Sequence, residues 1–351
     1  MATACLLLTS TAGTEAMKVE FLGSGLLHHV LGWMSDVNAS DQILEFSVDL
    51  ISELIHNFRP WYTLILESAA FLKALLARWR MPTTILRVRN KIAGVFWTLV
   101  QVAPVDDAEI GTGNFLGPLN DLVKDLLAAG AELLADLTSH EDAGYHVYAV
   151  DLIHELVKSE HALVRDLLDV GGVPILLDAF YDAPDDDRVK ILMVIEIAAE
   201  KPSLRDRLIN LDAYKVCATA LTRHGKISEI ACRACYILRD LTKNPRNRHV
   251  ELLREAQIPK IIIDFLDDGP GYVARSDAMW VLRNLCNLVH AGLNKSLLVH
   301  GALPLLNKTL RDGNCVDCHL LAQEALDDLM ALPHGTNKRP NTRARKRERE
   351  V

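Results

Sequence analysis

Two cysteine pairs have spacings that can bind a metal ion or haem. Cys232 and Cys235 form one CxxC pair, and Cys315 and Cys318 form another, which His319 extends to CxxCH. A zinc ribbon needs its two pairs within ~15–20 residues, whereas these pairs are about 80 residues apart. Haem attachment needs export and an axial ligand. We therefore interpret the cysteines as buried thiols of a reducing compartment, and we predict no metal site and no cofactor.

Two His-Glu pairs offer a second chemistry, because imidazole and carboxylate ligands suit iron. They are His140-Glu141 and His154-Glu155, which lie 14 residues apart. A metal-dependent enzyme is therefore an alternative to be tested, although the main prediction is a non-enzymatic protein without catalytic residues.

The elements that carry these residues repeat along the chain. The sequence Val281-Leu-Arg-Asn-Leu285 has counterparts 44 residues earlier, at Ile237-Leu-Arg-Asp-Leu241, and 44 residues later, at Ala325-Leu-Asp-Asp-Leu329. Glu196 and Glu155 continue the register upstream, at steps of 44 and 41 residues. Apolar positions recur at spacings of three and four within each copy, which predicts helices with one face in a core.

A second set of residues recurs with a similar period. Pro174, Lys215, Pro259 and Pro304 are spaced 41, 44 and 45 residues apart, and each is followed by apolar residues. Periods of roughly 40–47 residues are typical of armadillo and HEAT arrays, in which each unit buries its apolar face on the next. Glu53 and Thr98 are candidate equivalent positions in two earlier repeats, and the 57 residues from Thr98 to Glu155 predict an insertion of about a dozen.

The segment from Ala278 to Leu306 resembles the third helix of one armadillo repeat followed by the first two helices of the next. The resemblance is clearest over residues 146–332, and HEAT-like helix pairs are an alternative for residues 17–145. It implies an all-α, right-handed α-solenoid of about six or seven armadillo- or HEAT-like repeats. The predicted domains are a flexible N-terminus (1–16), the repeat domain (17–332) and a disordered basic tail (333–351).

In the armadillo family, third helices line a concave groove, and a Trp-x-x-x-Asn motif binds extended basic peptides. Trp280 and Asn284 match this motif. The other repeats depart from it, so the resemblance does not extend to the Trp/Asn ladder of nuclear-import adaptors. The resemblance therefore implies a protein-binding scaffold or adaptor for an extended peptide, with Asn287 of the same helix and Tyr236 as further groove residues.

The position equivalent to Asn284 is acidic in the other four clear repeats. One sign of charge at one structural position predicts a negative stripe that attracts a basic segment. An ordinary acidic protein surface is the alternative. The predicted stripe consists of Glu155, Glu196, Asp240 and Asp328.

The last 14 residues carry seven basic residues and two glutamates, and because the whole chain has a formal charge of −8, the preceding body carries about −13. The tail resembles a nuclear-localisation signal and is also a candidate ligand for the chain's own groove. Nucleic acid binding is a lesser alternative, because an acidic body repels phosphates. The basic residues that define the signal are Lys338, Arg339, Arg343, Arg345, Lys346 and Arg347.

Two further expectations concern location and enzymatic activity. The chain has no basic, apolar signal segment at its start and no apolar run long enough to span a bilayer, so we expect a soluble protein of the nucleus or cytoplasm. The alternative enzyme would resemble a HEAT-like hydroxylase family that binds iron through His-Glu dyads. That family needs four dyads in register, whereas this chain has two that are out of register.

Overall fold

The computed structural model describes residues 15–36, 38–56, 59–101, 122–138, 147–224, 228–288, 290–312 and 315–331. These residues form helices joined by short turns, and none of them lies in a β-strand. Contacts divide the chain into two compact units, which are described separately. Unit 1 is Met1–Leu241 and unit 2 is Thr242–Val351.

Unit 1 contains helices of about two to four turns. They are α1 (Glu15–Gly23), α2 (Leu26–Ser35), α3 (Asp41–Ile55), α4 (Arg59–Glu67), α5 (Ala69–Trp79), α6 (Leu86–Gln101), α7 (Val123–Thr138), α8 (Val147–Ser159), α9 (Leu163–Asp169), α10 (Gly172–Ala179), α11 (Asp185–Glu200), α12 (Pro202–Asn210), α13 (Ala213–Arg223) and α14 (Glu229–Leu241).

Unit 2 contains two further groups of three helices, each group ending in the longest. They are α15 (Asn247–Glu255), α16 (Ile258–Asp267), α17 (Tyr272–Asn287), α18 (Ala291–Val299), α19 (Ala302–Asp312) and α20 (Val316–Met330). The same three-helix pattern occurs in unit 1, in α9 to α11 and in α12 to α14.

The turn between the first and second helix of each group needs a left-handed backbone. The residue in this conformation is Gly171, Asp212, Gln257 or Gly301, with φ of 77°, 63°, 58° and 91°. Glycine adopts this conformation without the penalty of a Cβ atom. At Asp212, local hydrogen bonds from Tyr214 and Lys215 accompany the strained backbone. These turns explain the second set of recurring residues, because each turn lies at most three residues before one of them.

The third helices pack against one another in series. In unit 1 the series is α3, α6, α8, α11 and α14, and in unit 2 α17 packs against α20. The described residues thus contain seven third helices. The register positions Glu53 and Thr98 lie on α3 and α6.

The core between these helices is mainly aliphatic, as the periodicity predicted. On α17, Ala278, Val281, Leu282 and Leu285 are fully buried. The N-terminal part of unit 1 adds aromatic residues, since the Trp79 and Phe96 rings stack with centroids 5.8 Å apart.

The predicted domain boundaries are only partly covered by the described residues. The first described helix begins at Glu15, just before the predicted start of the repeat domain, and residues 332–351 lie outside the described part. Within the described ranges, no helix combines the length and the apolar character needed to cross a membrane.

Candidate functional site

Charged side chains connect consecutive third helices of unit 1. The Lys91 ammonium on α6 contacts Glu45 and Asp49 on α3, at N–O distances of 2.8 and 2.7 Å. Arg233 on α14 donates to Glu196 on α11 at 2.8 Å. Each contact joins neighbouring repeats and places a base beside an acid. The exposed side of these helices therefore carries paired charges as well as the predicted acids.

The most buried of these contacts lies between α8 and α11. Lys190 on α11 forms ion pairs with Asp151 on α8 and with Asp187 on its own helix. Both carboxylates are buried. Burial acts to lower the pKa of Lys190, but the hydrogen bond and charge of Asp151 outweigh it, so this pKa is raised and the ammonium keeps its charge.

The predicted acids of unit 1 differ in accessibility. Glu155 is half-buried and lies 3.3 Å from the Lys158 ammonium. Glu196 is also half-buried, and burial raises its pKa although Arg233 acts in the opposite direction. Asp240 is buried, 3.7 Å from Arg205. Glu155 and Glu196 are therefore within reach of a ligand, whereas Asp240 lies beneath the surface.

Tyr236 is part of a local network on α14. The guanidinium of Arg239 lies 3.8 Å from the centre of its ring, a cation–π contact. Its hydroxyl donates a hydrogen bond to Glu200 at 3.2 Å. Burial contributes most to raising the pKa of Tyr236, so the phenol remains protonated at neutral pH. The two contacts therefore hold the Tyr236 side chain in one orientation.

In unit 2, the two residues of the Trp-x-x-x-Asn motif occupy different environments. Trp280 is 37% exposed, with the Arg283 guanidinium 5.8 Å from its ring centre. Asn284 is only 7% exposed, and its amide donates to the Thr242 hydroxyl at 3.2 Å. Trp280 is therefore the more accessible residue of the motif. Asn287, one turn further along, is exposed.

Asp328 lies on α20 next to a base from α17. Burial and the nearby charge of Glu324 raise the pKa of Asp328, while Arg283 acts to lower it. Arg283 itself forms an ion pair with Glu324 at 3.1 Å. The carboxylate of Asp328 therefore shares this cation with a second acid, which favours the approach of another positive charge.

The His-Glu dyad that the structure describes joins a buried histidine, His154, to the half-buried Glu155. The Nδ1 atom of His154 lies 3.3 Å from Glu155, and burial lowers the pKa of His154 despite that neighbour. No group of three His, Cys, Asp or Glu side chains in the described ranges is arranged to bind a metal ion. His140 and Glu141 lie outside these ranges.

The CxxC sequences lie on helices of the repeat core. Cys235 is buried and Cys232 is half-buried. Cys315 caps α20, because its sulfur accepts a hydrogen bond from the Cys318 amide at 3.1 Å. Burial is the main reason why the pKa of Cys318 is raised to about 12, which disfavours the reactive thiolate.

The sequence reasoning missed the bases that partner the acids. Lys190, Arg233 and Arg283 are 39, 37 and 41 residues from their partners Asp151, Glu196 and Glu324. Their positions within the third helices differ from repeat to repeat. A search at a fixed period therefore finds the acids but gives no signal for the bases.

Comparison with known proteins gives matches of fold. The chain matches no protein-family model and no curated protein. A designed armadillo repeat protein in complex with the peptide (KR)4 is 18% identical, with a TM-score of 0.55 over 74% of this chain and 99% of that one. Computationally designed armadillo repeat proteins for modular peptide recognition are 18% identical, with a TM-score of 0.56 over 73% and 99%.

A third match extends over more of the chain. An engineered protein is 12% identical, with a TM-score of 0.52 over 95% of both chains. At these identities the likeness concerns the fold. The chain therefore has an all-α solenoid fold of the armadillo-like repeat type, which confirms the predicted fold class.

Proposed function

We propose that the protein is a non-enzymatic scaffold that binds an extended, basic peptide segment along its third helices. The observation that carries this proposal is the series of packed third helices in unit 1, in which Glu155 and Glu196 offer half-buried carboxylates at equivalent positions. Such a series supports binding of an extended chain across successive repeats. The peptide complex of the similar designed protein is consistent with this use of the fold.

The ion pairs within the protein compete with a basic ligand for the same carboxylates. A basic ligand competes with Lys158 for Glu155 and with Arg233 for Glu196. The gain per contact is then modest, as for other exposed ion pairs, at about 0.2–1 kcal/mol. Affinity should consequently depend on several carboxylates together and should fall as salt is added.

Neutralising three accessible acids should weaken binding of a (KR)4 peptide about tenfold at low salt. The variant is Glu155→Gln, Glu196→Gln and Asp328→Asn, and a tenfold change corresponds to about 1.4 kcal/mol. A matched control is Asp178→Asn, Glu255→Gln and Asp264→Asn, because these acids are exposed on first and second helices. Fluorescence anisotropy with the labelled peptide measures both. Equal loss in the two variants would show that net charge, and not the third-helix position, determines binding.

The basic tail has a proposed role both as a nuclear-localisation signal and as a competing ligand. Its charge complements the acidic body, and it follows α20, which carries Asp328. In the full chain, replacing Arg343, Arg345, Lys346 and Arg347 by Ala should strengthen (KR)4 binding several-fold at low salt, because a tethered competitor acts at high effective concentration.

Two measurements test the proposed roles of the tail in competition and in nuclear targeting. Peptide affinity at low and high salt shows whether the gain disappears when charges are screened, and imaging of the fluorescently tagged chain shows whether nuclear entry is lost. Unchanged affinity at low salt would exclude competition by the tail. Unchanged nuclear entry would exclude its role in targeting.

A further inference from the structure

Exposed apolar side chains are concentrated in unit 2. This unit spans less than a third of the chain, yet it contributes eight of the twelve large apolar side chains that are exposed in the described residues. On α17 these include Tyr272 and Val273, which are 60% and 64% exposed, and on α20 they include Val316 and Leu320, at 82% and 51%. We call these four residues the apolar end of the α17–α20 pair.

The two helices of the pair run side by side in the same direction. Near their N-termini, Arg275 and Met279 of α17 line the same cavity as Cys315 and Cys318 of α20. Further along both helices, Arg283 forms its ion pair with Glu324. The four apolar residues therefore lie at the same end of the pair, and Trp280 lies between that end and Arg283.

The opposite end of the pair is acidic. Three carboxylates follow the apolar residues on α20, at Glu324, Asp327 and Asp328, and Arg283 pairs with the first of them. The half-buried Asp328 and the exposed Asp327 remain next to this pair. An added positive charge would therefore be favoured here, while an added apolar group would be favoured two turns away.

Helix geometry sets the distance between the two ends. Leu320 lies seven and eight residues before Asp327 and Asp328, which corresponds to about 11–12 Å along the axis. An extended peptide covers this distance in three to four residues at about 3.3 Å each. A ligand lying along the pair can therefore place an apolar side chain at one end and a basic one at the other.

Resting on the proposed peptide-binding function, we infer that the α17–α20 pair binds an extended segment with a bulky apolar residue three or four positions from a Lys or Arg. The apolar residue packs on Leu320 and Val316, and the basic residue binds Asp327 and Asp328. This deepens the proposed function, because a purely basic peptide would leave the apolar end exposed to water.

The test uses synthetic Gly/Ser peptides that carry one Phe and two adjacent Arg residues, with the Phe-to-Arg spacing varied from one to six. Binding to the full chain is measured by fluorescence anisotropy. We expect a maximum at a spacing of three to four, with affinity at least tenfold above that of the peptide in which Ser replaces Phe. Affinity independent of Phe or of its spacing would overturn the inference.

Variants locate the effect on the helix pair. The double variant Val316→Ser and Leu320→Ser should lower affinity for the best Phe-containing peptide about tenfold and leave (KR)4 binding unchanged. The control Leu298→Ser and Val299→Ser changes two exposed apolar residues on α18 and should alter neither. Equal losses of the Phe-containing peptide in the variant and the control would overturn the assignment.

Two further results separate this inference from its competitors. If (KR)4 binds but Phe does not increase the affinity, this inference fails while the proposed function stands. If (KR)4 does not bind, the proposed function itself fails. Sedimentation velocity tests a second copy of the chain as the occupant. A dimer that Leu320→Ser converts to monomer would overturn the peptide assignment.

Discussion

Replacing Leu282 by Ala should lower the free energy of unfolding by about 2–5 kcal/mol, because the fully buried side chain leaves a cavity in the core. Leu285→Ala should have an effect of the same size, since this residue is also fully buried. Chemical denaturation of the full chain, followed by circular dichroism, measures the loss. The consequence for function is indirect, because α17 carries Trp280 and Arg283.

The matched control is Leu298→Ala. This leucine belongs to the same unit but is exposed on α18, so the same change should alter stability by less than ~0.5 kcal/mol. Equal losses of stability in the three variants would contradict the assignment of Leu282 and Leu285 to the core.

Replacing Lys190 by Met should lower the free energy of unfolding of unit 1 by about 3–5 kcal/mol, because it removes the cation between two buried carboxylates. The cost arises mainly from the charge left on Asp151, which is buried and cannot be hydrated fully. Thermal and chemical denaturation of the full chain measure it. Because Lys190 is partly exposed, water can reach the site and bring the value towards the lower end.

Two further variants identify the cause. Adding Asp151→Asn to Lys190→Met should restore part of the stability, since it removes one uncompensated charge. Lys215→Met provides a control, because Lys215 pairs with Asp212 on the exposed surface and such pairs contribute about 0–1 kcal/mol. Equal effects of the two lysine changes would mean that burial of the ion pair is unimportant.

The predicted groove residues form two groups in the structure. Glu155, Glu196 and Trp280 are partly accessible, whereas Asp240 and Asn284 are buried. A substitution in the second group changes packing as well as surface chemistry, as the hydrogen bond of Asn284 to Thr242 illustrates. Binding experiments are therefore most direct at the first group.

The repeat fold can be predicted from the amino-acid sequence alone. Each third helix repeats the same buried positions, such as Leu238 and Leu282 at a spacing of 44 residues. The turn residues keep a similar period, because a left-handed residue must occur between the first and second helices. The buried apolar positions and the turn residues are both local features of the sequence. Because they recur in each repeat, one sequence is sufficient to identify them.

The packing of the helices determines which acidic and basic side chains form ion pairs and which polar side chains are buried. Glu196 meets Arg233 across two packed helices, and the sequence period does not encode that contact because the base has no fixed position in the repeat. The burial of Asn284 likewise depends on packing, because its amide lies beside Thr242. Side-chain burial and ion pairing depend on the neighbouring helix, and this is why the repeat period predicts the recurring acids but not the bases that pair with them.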